Sequence, residues 1–164
     1  MDNRRRRRAL AALAVLALLA VGAVLLLQRG GGGRAGKNWL RASATLTPGV
    51  ANPDVTQATI HSTICITGWT KTIRPPVEYT SRLKREQMAA WQLPGTPADY
   101  QEDHLVSLGI GGHPTDPRNL WPEPRPHAEE VDAFERDLRL AVCAGKLTLA
   151  AAQKQEVELK HESG

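Results

Sequence analysis

The longest apolar run of the chain lies near its N-terminus, at 9–27, where 19 consecutive residues are Ala, Leu, Val or Gly. A helix of this run would be about 28 Å long, close to the roughly 30 Å hydrocarbon core of a bilayer. Arg4 to Arg8 precede it, and basic residues favour the cytoplasmic side of a membrane. The pattern predicts a basic cytoplasmic tail at 1–8, a single transmembrane helix in the lipid bilayer at 9–27, and an extracytoplasmic remainder. Cleavage within 35–44 is the alternative, and it would give a secreted protein.

Glycine and polar residues follow the apolar run, and an ordinary mixture of polar and apolar residues follows them. Gly30 to Gly33 and the residues after them predict a flexible linker at 28–47. The remainder, 48–164, is long enough for one modest hydrophobic core and shows no internal repeat. Its first part, Thr56–Thr72, is rich in β-branched residues and predicts a short strand interrupted by glycine.

Helical periodicity predicts three helices in this domain. The clearest extends over 129–143, where apolar residues at positions i, i+3, i+7 and i+11 form one stripe, and Gly145 suits its end. The stripe consists of Val131, Phe134, Leu138 and Val142. An earlier helix is predicted over about 80–91, with Thr80 or Ser81 as its cap, and a last helix over about 149–160.

The charge of the chain changes this picture little. The isoelectric point of about 9.4 is typical of nucleic-acid-binding proteins. However, residues 1–33 hold six of the 21 basic residues and one of the 17 acidic ones, so residues 34–164 hold 15 basic and 16 acidic residues. The basicity therefore belongs to the tail and anchor, and it does not indicate DNA binding.

Cys65 and Cys143 are the two cysteines of the chain. In an extracytoplasmic domain such a pair is more often a disulfide than a metal site, so we expect a Cys65–Cys143 disulfide. A reduced, buried pair is the alternative. Because there is no Cys-x-x-Cys, the sequence excludes a zinc ribbon or knuckle.

Residues that could take part in catalysis or metal binding concentrate in 103–124, which reads DHLVSLGIGGHPTDPRNLWPEP. Gln101–Leu108 predicts a strand and Leu120–Trp121 a second one, with a loop rich in Gly, Pro and Asp between them and the 129–143 helix after them. The order is therefore strand, loop, strand, helix. Along it stand Asp103 and His104, then Asn119, then His127.

This order of elements and residues resembles the HNH endonucleases, the ββα-metal class. Their signature has Asp-His or His-His on the first strand, Asn at the second and His at or near the helix. The resemblance covers about 100–139, roughly a quarter of the chain. The flanking segments also look like a group of small secreted or membrane-anchored bacterial proteins. The resemblance implies an α+β fold with an HNH-like ββα-metal module and flanking helices, after the N-terminal transmembrane helix.

The resemblance implies catalytic roles for His104 and Asn119. His104 would be the general base, because imidazole titrates near neutral pH and can take a proton from water. Asn119 would orient the His104 ring. The alternative for Asn119 is structural, since asparagine side chains readily close turns.

The resemblance also implies a divalent metal ion, with Asp103 and His127 as its ligands. Asp103 and His104 can have separate tasks because adjacent residues of a strand point to opposite faces. Glu129 and Glu130 are alternative ligands to His127, and their oxygens suit Mg²⁺ or Mn²⁺. Mg²⁺ is the first expectation, with Mn²⁺, Ni²⁺ and Zn²⁺ as alternatives, and no small-molecule cofactor is expected.

A group of basic residues before and within the 80–91 helix could bind phosphates of a nucleic acid. It consists of Lys71, Arg74, Arg82, Lys84 and Arg85. An ordinary solvated helix surface is the alternative.

The sequence thus favours metal-dependent hydrolysis of phosphodiester bonds in DNA, or in RNA, without sequence specificity and outside the cytoplasmic membrane. The alternative is an inactive HNH fold that serves as an extracytoplasmic binding or structural module. The near-neutral charge of 34–164 favours that alternative. So do Ser107 and Gly109, which stand where the bacterial group tends to have proline and a carboxylate.

Overall fold

The computed structural model describes residues 41–162, without the side chains of 126, 129 and 130. The predicted tail at 1–8, the predicted anchor at 9–27 and the linker as far as residue 40 lie outside these residues. Between residues 41 and 162, no helix combines the length and apolar character needed to cross a membrane.

The described chain is mixed α+β, as the sequence predicts. Its helices and strands are α1 (Trp69–Ile73), α2 (Val77–Ala90), β1 (Tyr100–His104), β2 (Leu120–Pro124), α3 (Arg125–Cys143) and α4 (Leu149–Glu162). Short 3-10 turns lie at Ile60–Ser62, Pro97–Asp99, Leu108–Ile110 and Pro117–Asn119.

The predicted order of strand, loop, strand and helix is present in β1, β2 and α3. In the described residues β1 and β2 form a two-stranded antiparallel sheet, with Tyr100 opposite Pro124 and His104 opposite Leu120. β1 ends at His104, four residues before the predicted Leu108, because the chain then enters a 3-10 turn. The short first strand leaves His104 at the point where the sheet opens into the loop.

The predicted strand at Thr56–Thr72 is wrong. This segment forms turns, the 3-10 turn at Ile60–Ser62 and the short helix α1. Its threonines bond the local backbone: the hydroxyl of Thr59 donates to the Asp54 carbonyl, and that of Thr63 donates to the Thr59 carbonyl. Such bonds offer the chain an alternative to a sheet, despite the β-branched composition.

The predicted helices exist, but two begin earlier than expected. α2 begins at Val77 and not at Thr80 or Ser81, while α3 begins at Arg125 and not at 129. Proline stands at both starts: Pro76 is the residue before α2, and Pro126 lies in the first turn of α3, where an N–H would have no partner. The prolines that favoured a loop in the sequence therefore lie directly before α2 and within the first turn of α3.

The core lies between α3, α4 and the loop between the strands. Val131, Leu138 and Val142 are buried and Phe134 packs beside the core, so the predicted apolar stripe is confirmed. The Cys65–Cys143 disulfide is also confirmed, with 5.6 Å between the two Cα atoms. It closes a loop of 78 residues, a constraint that would remove about 4 kcal/mol of unfolded-chain entropy.

Part of the segment that the sequence predicts to be a linker belongs to the packed fold. Ala42 is buried against Leu105 and Trp121, and its N–H donates to the Lys160 carbonyl at 3.1 Å. Thr47 is also buried. The segment 41–47 is therefore part of the fold and lies beside the end of α4.

Two of the three glycines in the loop between the strands, Gly111 and Gly112, are needed for close backbone approach. Gly111 has a φ of +79°, and a Cβ there would lie 2.6 Å from Val55. A Cβ on Gly112 would lie 1.7 Å from the Val106 carbonyl oxygen. The loop therefore folds back closely on the residues that follow β1, which positions Pro114 beside His104.

Candidate active site

A cleft of about 360 Å³ opens on the side of β1 that faces α1 and α3. Asp103 and His104 line it, together with Ser107 and Gly109 from the turn after the strand. Its other charged lining residues are Lys71, Arg74, Asp132, Glu135, Arg136 and Arg139. The cleft thus combines the predicted Asp-His pair with basic residues from two helical segments.

His104 has the arrangement of a neutral base. The ring is 5% exposed, and its Nε2 atom lies 3.0 Å from the Pro114 carbonyl oxygen. A carbonyl can only accept, so Nε2 donates, and burial lowers the pKa of His104 below its usual value. In the neutral ring Nδ1 then carries the lone pair, and no other group in residues 41–162 hydrogen-bonds it.

Asn119 supports the loop and does not contact the His104 ring. Among the described residues its buried side chain makes four hydrogen bonds, each 3.0–3.1 Å long and each to a backbone group. The partners are the N–H groups of Val50 and Val106 and the carbonyls of Val106 and His113. The predicted direct orientation of His104 is therefore corrected: Asn119 fixes the backbone next to Pro114, and the Pro114 carbonyl holds the ring.

Asp103 binds a buried lysine from α4. The Nζ atom of Lys160 lies 2.8 Å from Asp103 Oδ2, 2.6 Å from Glu135 Oε1 and 2.7 Å from the His104 carbonyl oxygen. It lies 3.4 Å from Glu156 Oε1. We call Lys160, Asp103, Glu123, Glu135 and Glu156 the Lys160 cluster; Lys160, Glu123 and Glu156 have no exposed surface.

The acidic groups of the Lys160 cluster differ in their pKa values. Burial opposes ionisation of Asp103, but the Lys160 ammonium and the hydrogen bonds from Lys160 and Glu123 act together against it, and the pKa of Asp103 is about 2. Burial raises the pKa of Glu123 to about 9 and that of Glu135 to about 8, and it also raises that of Glu156. At neutral pH the cluster therefore holds the Lys160 ammonium, the Asp103 carboxylate and protonated Glu123 and Glu135, which suits its buried position.

His127 contacts Glu123, whose carboxyl group also hydrogen-bonds the Asp103 carboxylate. Its Nδ1 atom lies 2.5 Å from Glu123 Oε1, and it does not line the cleft. The side chains of the alternative ligands, Glu129 and Glu130, lie outside the described residues. Among the side chains that the structure describes, no three of the His, Cys, Asp or Glu type are grouped to hold a metal ion. With Asp103 bound to Lys160 and His127 to Glu123, the described donors do not fit the expected metal.

The predicted basic group divides between two places. Lys71 and Arg74 line the cleft, whereas the three residues on α2 do not. On α2, Lys84 donates to the Pro97 and Tyr100 carbonyls. The other two are Arg82, whose Nε atom lies 3.7 Å from a carboxylate oxygen of Glu86, and the exposed Arg85.

Arg136 and Arg139 of α3 complete the basic lining, and the sequence interpretation missed them. The signal was a polar stripe at 132, 135, 136 and 139, next to the apolar stripe of the same helix. Arg139 Nε donates to the Ile64 carbonyl at 2.8 Å. A Cβ at Gly109 would lie 3.4 Å from Arg139 Cδ, so this arginine packs beside the turn after β1.

Glu102 gives the protein an unusual dependence of stability on pH. Neither of its carboxylate oxygens has a hydrogen-bond partner in the described chain, and burial raises its pKa from 4.5 to about 8. The folded state then binds more protons than the unfolded state between these two values, so stability falls as pH rises through that window. Glu102→Gln should remove this loss and raise the free energy of unfolding at pH 8 by at least about 1 kcal/mol.

Urea denaturation at pH 5 and pH 8 measures the effect of Glu102→Gln. The matched control is Glu86→Gln. Because the Glu86 side chain is 63% exposed, this substitution should leave the pH dependence of stability unchanged. An equal loss of stability from pH 5 to pH 8 in wild type and Glu102→Gln would contradict the prediction.

Comparison of the chain with known proteins finds no matching family model, no matching curated protein and no matching solved structure. The chemistry of the cleft itself indicates a function. Its geometry offers a neutral histidine with a free ring nitrogen next to several cationic side chains. This combination can bind an anion and remove a proton from water beside it.

Proposed function

We propose that this chain is an HNH-like endonuclease that hydrolyses phosphodiester bonds of DNA, or of RNA, outside the cytoplasmic membrane. The observation that carries the proposal is His104, whose Nε2 donates to Pro114 and which lines a cleft together with four basic side chains. The membrane anchor at 9–27 remains part of the proposal. The order of Asp103, His104, Asn119 and α3 supports the HNH likeness.

His104 acts as the general base. Its Nδ1 takes a proton from a water molecule as the water oxygen forms a bond to phosphorus, and the bond from phosphorus to the leaving oxygen breaks. The hydrogen bond from Nε2 to the Pro114 carbonyl strengthens when the ring becomes positive, which favours proton uptake. The protonated ring or solvent then returns a proton to the leaving oxygen.

The cationic lining binds the phosphate and stabilises the negative charge that develops on it. Lys71 and Arg74 contribute from one side of the cleft, and Arg136 and Arg139 from α3. The resemblance assigns this task to a divalent ion, which would supply Lewis acidity. Because the described donors do not fit such an ion, the chain's own cations perform the task in this proposal.

Plasmid cleavage tests the proposal. The full-length chain in detergent micelles is incubated with supercoiled plasmid in EDTA and, separately, in Mg²⁺, Mn²⁺, Ni²⁺ and Zn²⁺, with an RNA substrate beside it. We expect nicked and then linear DNA, including in EDTA. Intact DNA and RNA under all of these conditions would overturn the proposal, and cleavage only with a metal would restore the metal requirement.

The second candidate is a nucleic-acid-binding module without chemistry. The described contacts of the two predicted ligands favour it, because Asp103 binds Lys160 and His127 binds Glu123, and the expected metal pair is not formed. The same plasmid experiment distinguishes the two functions when DNA binding is measured beside cleavage. Binding without cleavage under every condition would establish the module in place of the enzyme.

Arg136→Gln should weaken DNA binding about fivefold to tenfold and reduce the dependence of binding on salt by about one released ion. The reason is that Arg136 lines the cleft from α3 and is proposed to contact a phosphate. Fluorescence anisotropy with a labelled 20-nucleotide duplex at several salt concentrations measures both quantities. Arg85→Gln on α2 is the control, and equal losses in the two variants would show that the cleft is not the binding surface.

A further inference from the structure

The Lys160 ammonium lies inside a shell of oxygen atoms from three elements of the fold. Asp103 Oδ2 and the His104 carbonyl belong to β1, Glu135 Oε1 to α3 and Glu156 Oε1 to α4. Three of these oxygens lie 2.6–2.8 Å from Nζ and the fourth lies 3.4 Å away. The three short contacts match the three N–H donors of an ammonium group.

This oxygen shell has the chemistry of a cation site. Carboxylates together with a backbone carbonyl are the ligands that hard divalent ions take in proteins. A buried ammonium group beside several acidic groups donates hydrogen bonds to them and supplies one positive charge. The side chain of Lys160 has no exposed surface, whereas Asp103 and Glu135 remain 18% and 21% exposed, so the shell borders the cleft while the ammonium lies behind it.

We propose that the Lys160 ammonium is a built-in cation that occupies an oxygen-lined cation site at Asp103, so that Asp103 is a partner of lysine and does not bind a divalent metal. The site consists of the carboxyl groups of Asp103, Glu135 and Glu156 and the carbonyl of His104. Lys160 acts as a positioning residue, since it joins α4 to the end of β1 that carries His104. The inference concerns cation binding, and it stands whether or not the cleft hydrolyses phosphodiesters.

The first test titrates Mn²⁺ into the full-length chain in detergent micelles and measures free Mn²⁺ by electron paramagnetic resonance. Wild type and Asp103→Asn should bind Mn²⁺ equally weakly, because the Asp103 carboxylate is already bound by Lys160. One Mn²⁺ per wild-type chain, lost in Asp103→Asn, would overturn the inference.

The second test removes the built-in cation. Lys160→Ala should gain one Mn²⁺ site per chain, with an affinity at least tenfold above that of wild type and a melting temperature that rises with added Mn²⁺. Lys154→Ala is the matched control, because Lys154 also lies on α4 and pairs with Glu158 but is 76% exposed. It should bind Mn²⁺ as wild type does.

Removal of the buried ammonium leaves the Asp103 carboxylate without a counter-charge and the neighbouring acids without a donor, so Lys160→Ala could lose its fold. The double variant Lys160→Ala/Glu135→Gln is therefore measured as well, since it has one carboxyl group fewer and retains Asp103 and Glu156. Circular dichroism with and without Mn²⁺ follows folding in both. Mn²⁺ binding or Mn²⁺-induced folding in either variant supports the inference, and the absence of both effects in both variants overturns it.

These titrations contain no nucleic acid, so their result is separate from that of the plasmid assay. A chain that cleaves no DNA and shows no Asp103-dependent Mn²⁺ binding would refute the nuclease proposal and keep the built-in cation. A chain that binds Mn²⁺ through Asp103 and cleaves DNA would refute the built-in cation and support the nuclease proposal.

Discussion

His104→Ala should lower the rate of plasmid cleavage by about 10²–10⁴-fold, the range typical for loss of a general base. The fold should survive, because the ring makes a hydrogen bond to Pro114 and no bond of the His104 side chain joins two helices or strands. His104→Gln is the sharper variant. Glutamine can still donate to the Pro114 carbonyl, but it cannot take a proton from water.

The control for the His104 variants is His161→Ala. His161 also places its Nε2 atom 3.0 Å from a backbone carbonyl, that of Thr47, but it does not line the cleft. We expect it to cleave plasmid at the wild-type rate. Cleavage by His104→Gln within a few fold of wild type, with intact circular dichroism, would contradict the assignment of His104 as the base.

Asn119→Ala should destabilise the protein by about 3 kcal/mol or more. It would leave two N–H groups and two carbonyl interactions of the loop backbone without their partner, and an unpaired buried polar group costs about 1–3 kcal/mol. Because Asn119 also fixes the backbone beside Pro114, the variant should lose activity even under conditions in which it remains folded.

Chemical denaturation measures this loss beside Asn52→Ala. Asn52 is buried too, and the hydrogen bond of its side chain is a local one from the Asp54 N–H at 3.0 Å. Its replacement should cost about 1 kcal/mol. Equal destabilisation by the two substitutions would show that the four bonds of Asn119 do not support the loop as described.

The features that the sequence predicts correctly are those encoded by neighbouring residues. The apolar stripe of α3 and the order of β1, β2 and α3 follow from local periodicity and turn residues, and the α+β class was implied by the resemblance that this order carries. The Cys65–Cys143 disulfide was expected from the presence of two cysteines in a domain predicted to be extracytoplasmic. At Thr56–Thr72 the same local reasoning fails, because threonine side chains bond turns as readily as they enter strands.

The partner of Asp103 could not be predicted in this way. Lys160 lies 57 residues further along the chain, and with Glu156 it forms an i, i+4 pair that is typical of an exposed helix surface. Only the packing of α4 against β1 makes it a buried ammonium. Arg136 and Arg139 had a weak local signal, a polar stripe next to the apolar one, but periodicity does not say that such a stripe lines a cleft.

Asn119 illustrates an intermediate case. Its position at the start of β2 and its importance follow from the motif, but its role depends on contacts with Val50 and Val106 that cross the fold. The motif predicts an oriented His104, and the structure provides it through the Pro114 carbonyl. The asparagine side chain indicated that position 119 is important, whereas the partners of its hydrogen bonds depend on the tertiary structure.

The most direct test of the central claim, that His104 activates water against a phosphodiester, is mass spectrometry of DNA products formed in ¹⁸O-labelled water. Wild type and His104→Gln are incubated with the same oligonucleotide in EDTA. The account predicts one ¹⁸O atom in each newly formed terminal phosphate with wild type, and at least a hundredfold less labelled product with His104→Gln. Equal amounts of labelled product from the two proteins, or no labelled product from wild type, would contradict it.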